Sequence, residues 1–166
     1  VRVLKKKFHN QLPLVARSGK AVKLFHNGSI HVTGCSSPIE FLDVVVTLCA
    51  FLPTVCNVPE LRLEDFAVQM INANYVLMTA APAGQHVVLR PHALRREISR
   101  LRGEPADFET ERHPGVKVVV REQQGQKIAT VMVFQTGSVQ ISGAKAPAHV
   151  AAAYREACTL VDTAIE

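Results

Sequence analysis

Few residues of this chain are spaced for covalent or metal chemistry. His26 and His31 flank a turn and could share an ion, but no third ligand stands beside them. Chance spacing is the simpler reading, and no metal is expected. Cys35, Cys49, Cys56 and Cys158 form no C-x-x-C pair, which removes a zinc ribbon and a dithiol redox motif. Their apolar neighbours suggest reduced, mostly buried thiols in an intracellular protein. No Ser, His and Asp share a nucleophile context, and no phosphate loop is written. The densest carboxylates lie in a solvated run from Glu104 to Glu111. Neither an enzyme nor a cofactor is expected.

The chemistry that recurs is non-covalent. Ala21 to Cys35 reads AVKLFHNGSIHVTGC, and Thr130 to Ala144 reads TVMVFQTGSVQISGA. Phe25 and Phe134, Gly28 and Gly137, Ser29 and Ser138, and Gly34 and Gly143 all fall at one offset, without a gap. A Pro-started helical stretch follows each copy, so the block is an internal repeat.

Period-two alternation says how the elements hold these residues. Val22, Leu24, Ile30 and Val32 share one strand face, with Lys23, Phe25, His31 and Thr33 on the other. The second copy divides into Val131, Val133, Val139 and Ile141 against Met132, Phe134, Gln140 and Ser142. One face of an antiparallel sheet is thus aliphatic, and the other is polar but carries one Phe per copy. Such a Phe is either covered by its neighbours or a wedge for a ligand lying across the sheet.

The chain has 166 residues, 48% hydrophobic and 20% charged, enough for one domain or two half-domains sharing a core. The half-repeats are expected at 1–58 and 59–166. A formal charge of +5 is compatible with nucleic acid without requiring it. The longest apolar run, Val44 to Val58, is broken by Pro53, so no membrane span is expected. There is no secretory signal, and the start at Val1 suggests processing or a longer parent.

Taken in order, Val1 to Lys7 is a solvated basic terminus or a phosphate-contacting edge. Phe8 to Ala16 reads as a strand, with Pro13 marking an edge or bulge. Ser37-Pro38-Ile39-Glu40 is a capping box opening a helix to Leu52, apolar nearly all round. Asp65 to Thr79 reads as a long strand with Ile71, Ala73, Tyr75 and Leu77 on one face and Met70, Asn72 and Asn74 on the other. Pro91 to Leu101 is a helix with Leu94, Ile98 and Leu101 inward, followed by an acidic loop, Gly103 to Gly115, and four strands in all. A last helix begins at Pro147, with Val150, Tyr154, Cys158 and Val161 as its apolar stripe.

The repeated Phe-x-x-Gly-Ser block with its Thr-Gly or Ser-Gly end resembles the core of the TATA-box-binding protein family. SVQISGAK is similar to that family's Ser/Thr-Gly-Ala-Lys signature, and the resemblance spans essentially the whole chain. It implies an α+β saddle: two pseudo-symmetric repeats forming one curved antiparallel sheet, with helices on the convex face. It further implies a transcription initiation factor that binds and bends A·T-rich promoter DNA through the minor groove, in the nucleus or a viral replication factory. NGSIHVTGC and QMIN look more like the divergent homologues of large DNA viruses.

Carried over residue by residue, the resemblance makes Phe8 and Phe25 the wedges of the first half and Phe134 one wedge of the second. His113 stands at the fourth wedge position, where it would stack but kink poorly. Thr33 and Ser142 match groove-contacting hydroxyls. Asn72 substitutes for a central minor-groove Asn that falls near Met70. Lys23, His31 and Gln140 replace usual aliphatic positions, Met132 is conservative, and Lys145 remains as a phosphate contact. The partners implied are transcription factors or polymerase components. The first half lacks its leading strand, so an upstream segment or a partner strand is expected to complete the sheet. The apolar first helix also leaves open a protein-interaction module with weak or no DNA binding.

Overall fold

The computed structural model describes residues 1–4, 9–57, 61–78, 88–103, 106–108, 114–122 and 124–165. The chain divides into two compact units, Val1–Phe66 and Ala67–Glu166. Each contains a four-stranded antiparallel sheet with helices against one face, an α+β architecture.

In the first unit, β1 (Arg2–Val3), β2 (Gln11–Val15), β3 (Ala21–Phe25) and β4 (Ile30–Thr33) pair in sequence order, followed by α1 (Pro38–Cys56). Arg2 and Val3 are therefore not a free terminus: they pair with Val15 and Leu14. The strand expected over Phe8 to Ala16 is shorter, because His9 and Asn10 form a turn. Leu14, Val22, Val44, Leu48 and Leu52 are buried together, with Leu24, Ile30 and Val32 packed alongside.

The start of α1 departs from the expected capping box by one residue. Ser37 Oγ accepts from the Glu40 N–H at 3.3 Å, but the Glu40 carboxylate accepts from the Ser36 N–H at 2.6 Å. Lys20 holds the same carboxylate at 2.9 Å and donates to the Gly34 carbonyl at 2.7 Å. The helix does not stop before Pro53 but runs through it to Cys56, ending on Asn57 in the left-handed region at φ 50°. Pro53 lies in the last turn, where the hydrogen bond it removes is one of few left to lose. With 19 residues and mean hydropathy 2.0, α1 is long and apolar enough to cross a membrane, contrary to the expectation from sequence. Its inner face nevertheless packs on the sheet.

In the second unit, β5 (Ile71–Val76), α2 (Pro91–Arg102), β6 (Gly115–Arg121), β7 (Lys127–Phe134), β8 (Ser138–Ala144) and α3 (Pro147–Ile165) follow in the chain, with sheet order β5-β8-β7-β6. Val131, Val133, Val139 and Ile141 are all buried, as alternation requires. Burial of each such side chain stabilises by roughly 1.5–3 kcal/mol. The long strand expected over Asp65 to Thr79 is confined to β5. Leu61, Leu63, Phe66, Val68 and Met70 are exposed outside it, because pairing occurs only where β8 supplies the ladder. A fourth strand after α2 is reduced, among the described residues, to one bridge between Asp107 and Lys117.

Two helical stripes also differ from expectation. In α3 the buried residues are Ala153, Ala157, Leu160 and Val161, whereas Tyr154 is 48% exposed. Alanines at this contact let the helix backbone approach the sheet, which larger side chains would prevent. In α2, Leu94 and Ile98 are buried but Leu101 is exposed. The cysteines are free thiols; Cys35, Cys49 and Cys158 are only half-buried and Cys56 is exposed.

Candidate nucleic-acid interface

On the face of each sheet away from its helices, the repeat sets out one constellation. In the first unit, Lys23 stands directly opposite His31, and Ala21 opposite Thr33. Lys23, His31 and Thr33 are exposed, and Phe25 is half-buried at the end of β3. Its ring meets His31 at 4.8 Å between centroids, tilted by 60°. His31 is thus an aromatic neighbour of the expected wedge. Among the described residues no three His, Cys, Asp or Glu side chains are grouped to hold a metal.

In the second unit, Met132 stands opposite Gln140, and Thr130 opposite Ser142. Phe134, half-buried at the end of β7, faces Gly115 across the ladder. Lys117 lies opposite Met132, but its Nζ is 3.0 Å from Asp107 Oδ2, which neutralises much of its charge. Lys145 is exposed just beyond β8. Phe8 and His113 lie outside the described residues.

The Ser-Gly and Thr-Gly ends have a backbone cause. Gly34 and Gly143 adopt φ of 88° and 78°, a region that L side chains rarely enter. Between the pairs Ile71–Ala144 and Ala73–Ile141 the register shifts, so Ser142 and Gly143 together oppose Asn72. This bulge turns β8 by one residue, returning Ala144 to the core after Ile141. It also brings exposed Asn72 beside Ser142, joining two expected site residues that lie far apart in sequence.

The sequence reading noted Asn74 on the same face as Asn72 but gave it no role. Asn74 pairs directly with Gln140, and Val76 with Ser138. An open depression of about 320 Å³ is lined by Asn74, Val76, Phe134, Ser138 and Gln140. Period two from Asn72 would have reached Asn74; only the register supplies Gln140 as its neighbour. Asn74 therefore joins the candidate site.

Comparison with known proteins follows this geometry. The family model described as "Transcription factor TFIID (or TATA-binding protein, TBP)" matches residues 85–164. The chain is 24% identical over 172 residues to the "TATA-box-binding protein-like" protein of Acanthamoeba polyphaga mimivirus. That alignment covers 90% of this chain and 46% of the relative, so the chain spans about half of the relative's length. Among solved structures, Methanococcus jannaschii TBP superposes with a TM-score of 0.65 at 20% identity, covering 99% of this chain and 83% of that one.

Proposed function

We propose that this divergent TBP-like chain is a transcription initiation factor that binds duplex DNA in the minor groove and bends it. The observation that carries the reading is the paired setting of Phe25 and Phe134. Each ends the third strand of its repeat, on the polar face away from the helices, where only a flat partner gives such a ring a role. A Phe inserted between base pairs unstacks one step, at about a few kcal/mol, and opens the groove to wider contact. Thr33 and Ser142 would meet base edges, and Lys23 and Lys145 phosphates. For Phe25 to insert, a base must replace the ring contact with His31.

The preferred DNA would be A·T-rich and deformable. Transcription factors or polymerase components are the expected protein partners. An upstream segment or a partner strand would complete the outer edge of β4, which carries no strand among the described residues, although its repeat equivalent β8 carries β5. The site of action would be the nucleus or a viral replication factory.

The test is fluorescence anisotropy on A·T-rich and G·C-rich duplexes across a salt series, with Phe25→Ala and Phe134→Ala beside the parent. The reading requires salt-dependent binding, preference for the A·T-rich duplex, and collapse in both variants. Weak binding indifferent to both substitutions would instead support a protein-interaction module. One observation favours that second reading: α1 exposes Ile39 (70%), Val46 (68%) and Val55 (57%) on its outer side.

A further inference from the structure

We infer that Asn74 and Gln140 form an amide pair that reads a guanine N2 amino group, so that the second unit accepts a G·C pair within its half-site. The inference rests on the minor-groove reading above and makes it more specific.

Asn74 on β5 and Gln140 on β8 are direct cross-strand partners, so their side chains leave the sheet on one face, side by side. Asn74 is exposed and Gln140 half-buried. Neither side-chain amide has a hydrogen-bond partner among the described residues. With Phe134 and Ser138 they line the open depression of about 320 Å³. Two uncommitted amides beside an aromatic wedge hold donors and acceptors at one step of whatever polymer lies there.

In the minor groove, A·T and T·A pairs present only acceptors, and a G·C pair adds the N2 amino donor. An apolar surface laid over that amino group would leave it without a partner. A side-chain amide answers both patterns: its oxygen accepts from the N2 group, and its NH₂ donates to a purine N3 or pyrimidine O2. Two adjacent amides can do both at once. The first unit has no counterpart. Its repeat-equivalent residues are Lys23, which offers donors only, and His31, and no strand lies beyond β4 to supply a third side chain. The two half-sites are therefore read differently, which would orient the chain on its DNA.

The experiment uses duplexes sharing an A·T-rich site, in which each step in turn becomes G·C, inosine·C or diaminopurine·T. Inosine lacks the N2 amino group, and diaminopurine adds one to an A·T-like pair. At one or two neighbouring positions, G·C and diaminopurine·T should bind about fivefold or more tighter than inosine·C. Asn74→Leu and Gln140→Leu should erase that difference while holding affinity for the inosine duplex within about twofold, since both side chains stand at the surface. Matching thermal unfolding of parent and variants excludes a folding defect. The inference is overturned if the N2 group weakens binding at every position, or if the preference survives in the double variant. Binding that needs Phe134 but ignores the N2 group sinks this inference alone. Failure of the parent to bind any duplex removes the minor-groove reading as well.

Discussion

Phe134 covers Gly115, its direct partner across the β6–β7 ladder. A Cβ on Gly115 would stand 3.1 Å from Cε1 and 3.2 Å from Cδ1 of the ring. The glycine thus allows the ring to lie close over the strand, and the ring in turn shields the glycine backbone. Gly115→Ala must move the ring, because the Val133 carbonyl at 3.3 Å leaves the new methyl little room on its other side. We expect a folded protein whose DNA affinity drops towards that of Phe134→Ala. Anisotropy beside thermal unfolding checks this, and undiminished binding would show that the ring's position is not what matters.

Tyr75 buries its hydroxyl oxygen without a hydrogen-bond partner among the described residues, its ring edge-on to Tyr154 at 5.0 Å. Burial first, and the neighbouring Cys158 thiol second, push its ionisation far above the ordinary phenol range. An orphaned buried polar group costs about 1–3 kcal/mol, so Tyr75→Phe should leave stability unchanged or raise it. The sign with pH follows from the upward shift. The neutral phenol's contribution is complete below the ordinary phenol pKa and is lost as pH rises through the folded value. Tyr75→Phe should therefore lose less stability in alkali than the parent does. Thermal unfolding at neutral and alkaline pH decides it; a variant destabilised at neutral pH would reveal a hidden partner for the hydroxyl.

Glu40 carries the opposite shift. The Ser36 N–H first, and Lys20 second, hold its carboxyl below the ordinary carboxylate range. Its contribution is complete above the unfolded-state pKa and disappears as pH falls through the lower folded value. Lys20→Met should shrink the shift without abolishing it, because the Ser36 contribution is the larger. An NMR titration of the Glu40 carboxyl in both proteins reads this directly. Complete loss of the shift in the variant would assign it to Lys20 alone.

The strands β4 and β8 are repeat equivalents with different neighbours. The latter lies between β5 and β7, whereas β4 pairs only with β3 among the described residues. Amides on the outer edge of β4 should exchange through local opening, while those of β8 are protected nearly to the global limit. Native-state hydrogen exchange compares them within one sample. Equal protection would mean that some other segment already covers β4.

Much of the fold can be read from alternation and turn chemistry. The aliphatic faces of both blocks, the glycines of their bulges and the Pro-started helices are local features, and each has a local cause. The polar face with its two Phe residues was legible for the same reason: side chains on a strand must alternate. Other features depended on packing. Which side of α3 meets the sheet was decided by how closely its alanines let it approach, which a list of apolar positions does not contain. The length of β5 was decided by where β8 could pair with it.

By itself, then, the sequence determined the repeat, the α+β class and which residues share a strand face, because these follow from a two-residue period and from conformations open mainly to glycine. Only the tertiary structure decided that Asn74 stands beside Gln140, that Ser142 and Gly143 share Asn72, and that Phe134 rests on Gly115. Each of those pairs lies on different strands, and cross-strand register is set by bulges and by the burial of the whole opposite face. No local stretch of sequence carries that information.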